Sequence, residues 1–152
     1  LYPYTTDDTY MWAFGETVIP LLHAFQPDVL VTQIGIDSHF LDPITHLALT
    51  VQGFSEIVSQ FSGVAPLWLV LGGGGYDLQA VARAWTLAFG VLSDQYFSDQ
   101  IPNSYLNTYG ISQLRDTEQL PIMQSAREDA RKFAERNVAD LKRYVFHKHG
   151  LR

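Results

Sequence analysis

PLWLVLGGGGYDLQAVARAWT, residues 66–86, is the stretch that decides the fold class of this chain. Residues 67–71 form a short apolar run typical of a buried strand, and residues 77–92 repeat apolar side chains at helical spacing. Four glycines lie between them, as in the connections that lead from a strand into a helix in parallel α/β sheets. The stretch therefore predicts a strand, a glycine-rich loop and a helix.

The same order of elements occurs upstream. DVLVTQIGID, residues 28–37, is a β-branched apolar run that ends in glycine and an acid, which predicts a buried parallel strand over residues 29–34. HLALTVQGFSEIVSQFSG, residues 46–63, predicts the helix between the two strands. We therefore expect an α/β fold, in which a parallel sheet is covered by helices on both faces.

Three further segments complete the chain. Residues 6–25 predict an amphipathic helix with a kink at Pro20, and residues 94–121 have no sustained period and predict an irregular surface connection. Residues 122–152 predict a C-terminal amphipathic helix that docks on the body or on a partner. Its apolar face would consist of Ala130, Phe133, Ala134, Val138, Leu141, Tyr144 and Val145.

The composition excludes several classes of protein. Hydrophobic residues make up 47% of the 152 residues, and no segment approaches the roughly 20 apolar residues of a membrane helix. The net charge of -6 lacks the basic surplus of nucleic-acid-binding proteins. The absence of cysteine excludes disulfides and thiolate metal sites, and it fits a cytoplasmic protein. We expect no nucleic-acid partner and no membrane association.

The four glycines match neither common phosphate-binding motif. Asp77 stands where a dinucleotide fingerprint that starts at Gly72 needs its third glycine, and no Gly-Lys-Ser/Thr follows. Glycines can instead bring the backbone close to a substrate or metal and direct the next side chain, Tyr76, whose phenol can donate to a developing oxyanion. From the residues alone, an ordinary turn beside a pocket explains the pattern equally well.

A second polar cluster, GIDSHFLDP, follows the first strand at residues 35–43. Asp37 is a carboxylate at the end of a parallel strand, where ligands gather in such sheets, and His39 and Asp42 follow in the same loop. A catalytic zinc needs three protein ligands and an open position, and an Asp-Ser-His triplet also occurs in capping turns. The residues alone leave both interpretations open.

Together the two clusters resemble the zinc-dependent histone deacetylase superfamily, in particular its bacterial acetoin-utilisation branch. Residues 27–50 are similar to the Gly-x-Asp loop of that family, and residues 69–86 are similar to its glycine-rich loop and following helix. The resemblance implies the arginase-deacetylase fold, a three-layer α/β/α parallel sheet. It also implies that residues 1–93 are the C-terminal part of a catalytic domain.

The resemblance implies roles for two residues in catalysis. Asp37 is similar to the family's third zinc ligand, and Tyr76 corresponds to the tyrosine that stabilises the oxyanion when an acetyl-lysine amide is attacked. Zinc would polarise the carbonyl and lower the pKa of water, while the phenol would donate to charge that appears only in the transition state. The resemblance leaves the metal open between zinc and iron.

Five further residues would surround this pair. The resemblance implies that Gly74, Gly75 and Ile44 line the acyl-lysine channel. His39 and Asp42 are interpreted as lying behind the ligands or at the rim. On this interpretation, the glycines aim a tyrosine and do not bind a phosphate.

The sequence departs from the family pattern in one respect. It has no His-His pair, and its one Asp-x-His, at residues 37–39, lies inside the third-ligand loop. We therefore expect the other metal ligands to lie outside this chain, and we expect the chain alone to be inactive. The substrate would be an acetylated protein or a small acetylated amine, and the partners would be the remainder of the catalytic domain and another copy of the chain. The alternative is a non-catalytic assembly module that retains the fold.

Overall fold

Two parallel strands form the centre of the structure, which is a computed structural model that describes residues 1–151. None of its helices within those residues has the length and apolarity needed to cross a membrane. The elements, in chain order, are α1 (Asp7–Phe25), β1 (Val29–Gln33), α2 (Val51–Ser59), β2 (Leu67–Leu71), α3 (Leu78–Ser93), α4 (Asn103–Tyr109), α5 (Gln124–Tyr144) and a 3₁₀ turn (Phe146–His149).

Strands β1 and β2 pair in parallel, as the sequence predicts. Val29 lies opposite Leu67, and the register continues to the pair formed by Gln33 and Leu71. The alignment extends beyond the strands, since the Ile34 amide donates to the Leu71 carbonyl at 2.9 Å. The chain segments that follow the two strands therefore leave the sheet side by side.

Helices α2 and α3 cover one face of this sheet. The even-numbered strand positions, such as Leu30 and Thr32, are buried, and Trp68 and Val70 pack against a core formed largely by α2 and α3. The Trp68 indole donates to the Thr32 hydroxyl at 3.0 Å, so the polar atoms on this face are paired within the sheet.

The opposite face of the sheet is open, which differs from the predicted cover of helices on both faces. Its apolar side chains are each about half exposed or more, and they are Val29, Val31, Leu67, Leu69 and Leu71. The strand side chains that pack in the main core, Trp68 and Val70, contact α2 and α3 on the other side of the sheet. The third layer of the expected α/β/α fold is therefore not formed by the described residues.

Helix α2 begins at Val51, five residues later than the start of the predicted segment. Residues 46–50 are extended, because their backbone groups bond to neighbouring loops. The Ala48 amide donates to the Thr5 carbonyl at 2.9 Å, and the Leu49 amide donates to the Ser38 carbonyl at 3.1 Å. Thr50 then caps the helix, with its side chain accepting from the Gly53 amide.

The C-terminal helix α5 docks on α1, so the body of this chain and not a partner receives its apolar face. Ala134 and Val138 pack against Ala13, and the Arg131 guanidinium lies 3.8 Å from the centre of the Trp12 ring. The predicted face is only partly correct, because Tyr144 is 56% exposed while Ala130, Ala134 and Val138 are buried.

The connection between α3 and α5 is more ordered than the sequence predicts. It contains the short helix α4 and an antiparallel bridge between Gln100 and Gln113. Leu114 is 6% exposed and belongs to the main core, where Phe97 and Ile101 also pack. These apolar residues are too irregularly spaced to give a period, so a sequence pattern cannot reveal that the segment folds back.

Candidate active site at the carboxyl edge of the strands

The loops that follow β1 and β2 meet at one edge of the sheet, because the strands are parallel. The Ile36 amide donates to the Gly74 carbonyl at 2.7 Å, which joins the loop that carries Asp37 to the glycine-rich loop. The two sequence clusters that carried the functional prediction therefore lie together.

Glycines pack closely throughout this contact, and a Cβ on Gly35 or on Gly73 would lie 2.6 Å from a backbone nitrogen of the other loop. A Cβ atom on Gly74 would lie 2.1 Å from Oδ2 of Asp37, so the carboxylate occupies the space that any other residue would fill. Gly75 has φ of +146°, and a Cβ there would lie 2.7 Å from Cγ2 of Ile36. The glycines thus allow the second loop to pack directly on the Asp37 carboxylate.

The carboxylate of Asp42 joins the two loops by accepting hydrogen bonds from both. One carboxylate oxygen accepts from the Tyr76 amide at 2.8 Å, and the other accepts from the amides of Ile44 and Thr45 at 2.9 and 3.3 Å. Asp42 is 7% exposed and lies in the interior, not at a rim. It fixes the backbone of Tyr76 relative to the loop that carries Asp37.

The side chains of Tyr76 and Ile44 face solvent at this edge. Tyr76 is 56% exposed and Ile44 is 62% exposed, while Asp37 between the two loops is half-buried. The edge is therefore an open surface with a carboxylate at its base and a tyrosine beside it.

His39 is buried and uses both ring nitrogens inside the protein. Nδ1 accepts from the Leu41 amide at 3.2 Å, so Nε2 carries the proton and donates to Oδ2 of Asp116 at 3.0 Å. The residue is 1% exposed, and its ring lies against Phe40 with the ring centres 4.4 Å apart. His39 therefore lies behind Asp37 and is not available to coordinate a metal.

Asp116 is the residue at this site that the sequence did not reveal. Besides His39, its carboxylate accepts from the Val51 amide at 2.8 Å and from Arg83 Nη1 at 2.6 Å. Its backbone amide and carbonyl both bond to the side chain of Gln52. The Asp116 side chain is 6% exposed. It joins the connection after α3 to α2, to α3 and to the loop that carries Asp37.

Asp116 is an ionised carboxylate in the interior. Burial alone would raise its pKa, but the hydrogen bonds from His39, from the Val51 amide and from Arg83 together outweigh burial and hold the pKa below its usual range. The negative charge also lies at the N-terminus of α2, where the helix dipole favours it.

A second carboxylate, Asp7, lies at the same N-terminus of α2, and its pKa is shifted in the opposite direction. It accepts from the Thr50 amide at 2.9 Å and from the Thr50 hydroxyl at 2.7 Å. Burial raises the pKa of Asp7 despite these bonds, and the charge of Asp116 adds to the rise. The pKa of Tyr10, on the same helix as Asp7, is raised by burial and then by the charge of Asp37, which places α1 beside the site.

The donor set at this edge fits one part of a metal site. The Asp37 carboxylate is an oxygen ligand of the kind that zinc accepts, but a catalytic zinc needs three protein ligands. Within residues 1–151, no group of three or more histidine, cysteine, aspartate or glutamate side chains is placed to hold a metal ion. Asp37 is therefore compatible with a metal only if further ligands come from elsewhere.

Comparisons with known proteins agree with the geometry. The profile of the histone deacetylase domain matches residues 1–92. The acetoin utilization protein AcuC of Staphylococcus xylosus is 32% identical over 116 residues, which cover 72% of this chain and 30% of that protein. The AcuC proteins of Staphylococcus aureus strain MRSA252 and of Bacillus subtilis strain 168 are 34% identical over 116 residues and 37% identical over 90 residues.

These matches identify the family of the chain and show how much of the length of its relatives it covers. The chain spans about 30% of the length of the Staphylococcus relatives and about 23% of the Bacillus relative. The profile match covers the two loops, both strands and the helices α1, α2 and almost all of α3. The resemblance inferred from the two loop motifs is confirmed: the chain belongs to the histone deacetylase family.

Proposed function

We propose that the full-length protein is a metal-dependent deacetylase and that this chain supplies one wall of its active site. The observation that carries the proposal is the packing of the Asp37 carboxylate on Gly74, within the loop that presents Tyr76. A metal ligand and an oxyanion donor would then stand at one edge of the sheet. The reaction would be hydrolysis of an acetyl-lysine amide or of a small acetylated amine.

Asp37 would hold the metal, zinc or iron, together with ligands from outside this chain. Such an ion is a Lewis acid that polarises a carbonyl oxygen. The contribution of this chain is to hold the carboxylate in place, since Gly74 packs against it and the Thr45 hydroxyl donates to the Asp37 carbonyl at 2.5 Å. A fixed ligand stabilises charge without reorganisation during the reaction.

Tyr76 would act on the charge that forms on the acetyl oxygen. Its backbone amide is fixed by Asp42, while its side chain remains open to the site, so the phenol is free to donate to a bound substrate. A donor aimed at a developing oxyanion is worth about a hundredfold to a thousandfold in rate. Gly74, Gly75 and Ile44 would line the channel through which the acyl-lysine side chain reaches Tyr76.

The open face of the sheet supports a role for the remainder of the protein. Five apolar side chains on one face are about half exposed or more, and burying the exposed part of each would contribute about 1 kcal/mol. We propose that the rest of the catalytic domain covers this face and supplies the missing ligands. On this proposal the chain alone is inactive, and the unpaired edge of its two-stranded sheet favours association with another copy. We also propose a cytoplasmic location, in keeping with the absence of cysteine.

The test compares two tyrosine variants of the full-length protein. Tyr76→Phe should lower kcat on an acetyl-lysine peptide about a hundredfold to a thousandfold with little change in KM, because the hydroxyl acts on the transition state. Tyr96→Phe is the control, since Tyr96 is 82% exposed in the connection after α3.

Several outcomes would contradict this proposal. Equal kcat values for the two variants would make Tyr76 architectural. A wild-type protein that binds no zinc or iron and hydrolyses neither an acetyl-lysine peptide nor a small acetylated amine would favour the alternative, a non-catalytic assembly module with the same fold.

A further inference from the structure

The backbone around Asp37 forms a tight turn whose centre is His39. The His39 amide donates to the Ile36 carbonyl at 3.0 Å, and the Asp42 amide donates to the His39 carbonyl at 2.9 Å. The orientation of Asp37, which lies between Ile36 and His39, therefore depends on where His39 is held.

The side chain of His39 anchors this turn to a distant part of the chain. Nδ1 holds the Leu41 amide within the turn, and Nε2 donates to Asp116, which lies 77 residues further along the sequence. A hydrogen bond from a buried imidazole to an ionised carboxylate is charge-assisted and is stronger than a bond between neutral groups. This side chain thus adds an anchor on a distant segment to the backbone bonds that the turn makes with Gly74 and Leu49.

Asp116 is itself fixed, so it can hold His39 in place. Arg83 binds its Oδ1 from α3, the Val51 amide binds its Oδ2 from the start of α2, and the Gln52 side chain bonds to its backbone. These partners belong to the two helices that cover the sheet. Asp116 therefore links the turn that carries Asp37 to the helices α2 and α3.

We infer that Asp116 is a positioning residue for Asp37, and that it acts through His39 to hold the Asp37 carboxylate in the orientation required for metal binding. This inference rests on the proposed function, because it assumes that Asp37 is a metal ligand. Groups that orient a ligand from behind typically change metal affinity by about 10–100-fold when they are removed.

The experiment uses variants of the full-length protein and two readouts, with and without metal. Zinc affinity is measured by competition with a chelating dye, and amide hydrogen exchange of residues 36–45 is measured in metal-free protein. Asp116→Asn and His39→Leu should each weaken zinc binding about 10–100-fold and accelerate exchange in residues 36–45. His39→Gln keeps a donor that can reach Asp116, and it should recover part of the zinc affinity.

Asp99→Asn is the matched control. Asp99 lies in the same connection and binds Arg115 at 2.8 Å, but this ion pair is partly exposed and does not contact the Asp37 turn. The control should keep wild-type zinc affinity and wild-type exchange in residues 36–45. If Asp116→Asn fails to fold, His39→Leu carries the test, because it leaves the bonds from Asp116 to Arg83, Val51 and Gln52 in place.

A double variant separates positioning from a general loss of packing. If Asp116 acts through His39, then His39→Leu with Asp116→Asn should weaken zinc binding no more than the stronger single variant. Independent effects that multiply would overturn the inference, and so would wild-type zinc affinity in both single variants.

The proposed function and the inference fail in different ways. A wild-type protein that binds zinc and deacetylates while the variants behave as wild type overturns only the role of Asp116. A wild-type protein that does neither overturns the proposed function and this inference with it.

Discussion

The loop that carries Asp37 is held from two sides by different physical means. In front, Gly74 packs so closely that no side-chain atom fits between the loop and the carboxylate. Behind, His39 and Asp116 form a buried polar network with bonds of 2.6–3.2 Å. Close packing tolerates no added atom, whereas a hydrogen-bonded network tolerates a replacement that keeps the donors and acceptors paired. Substitutions at Gly74 should therefore act through added side-chain volume. Substitutions at His39 and Asp116 should act through lost hydrogen bonds and charge.

Between these two sides of the loop, the largest expected effect comes from adding one methyl group at Gly74. Gly74→Ala would place Cβ 2.1 Å from Oδ2 of Asp37, so the carboxylate must move away. Displacing a reacting group by about 1 Å costs about a hundredfold in rate. We therefore expect Gly74→Ala to lower kcat of the full-length protein about a hundredfold, with a comparable loss of zinc affinity.

Gly72→Ala provides the control for this substitution in the same glycine run. A Cβ on Gly72 would meet only Cζ2 of Trp85 at 3.7 Å, which is an ordinary contact, so activity should stay close to that of wild type. Equal losses in the two variants would show that the run as a whole, and not the contact with Asp37, requires glycine.

Removing the Asp42 carboxylate, which joins the two loops, should have the next largest effect. Asp42→Ala leaves the part-buried amides of Tyr76, Ile44 and Thr45 without their acceptor, and it should lower the free energy of unfolding by about 1–3 kcal/mol. Chemical denaturation of the full-length protein measures this. Asp28→Ala, at an exposed position before β1, should change stability by less than about 0.5 kcal/mol. A stable Asp42→Ala variant would mean that packing alone joins the loops.

The network of His39 and Asp116 should make the stability of the protein depend on pH. The pKa of Asp116 in the folded protein lies below its ordinary value of 3.8, so its ionised form stabilises the fold above that pH and this contribution is lost as pH falls through the folded pKa. The difference in unfolding free energy between wild type and Asp116→Asn should therefore be constant above about pH 5 and shrink below 3.8. A difference that grows on acidification would contradict the ionised state of Asp116.

The smallest expected effect belongs to the exposed carboxylate of the same connection. The Asp99 side chain is 47% exposed and the Arg115 side chain 31% exposed, so water and salt screen their ion pair. Asp99→Asn should change the unfolding free energy by less than about 1 kcal/mol, and raising the salt concentration should reduce that change further. A larger loss would show that the connection depends on this pair and not on Asp116.

The front of the site could be predicted from the sequence because its signals are local. Strand β2 and its glycines are contiguous, and Asp37 follows directly on an apolar run. The segment HLALT predicts too early a start for α2, because its apolar spacing is helical and does not reveal that the Ala48 and Leu49 amides bond to other loops.

The back of the site could not be predicted, because its contacts are not local. The partners of Asp116 lie 33 residues away at Arg83, 65 at Val51 and 77 at His39, and no spacing rule connects them. The open face of the sheet could not be predicted for the same reason. Near-continuous apolar runs such as residues 67–71 indicate that both faces of a strand need cover, but they do not indicate whether the covering elements lie within these residues.

The most direct test of the central claim is anomalous X-ray diffraction at the zinc edge from crystals of the full-length protein grown with zinc. We expect an anomalous peak at about 2.0–2.2 Å from a carboxylate oxygen of Asp37, on the side of the loop that carries Tyr76. Zinc bound elsewhere, with the Asp37 carboxylate engaged only in hydrogen bonds, would contradict the claim that this edge of the sheet is a wall of a metal-dependent active site.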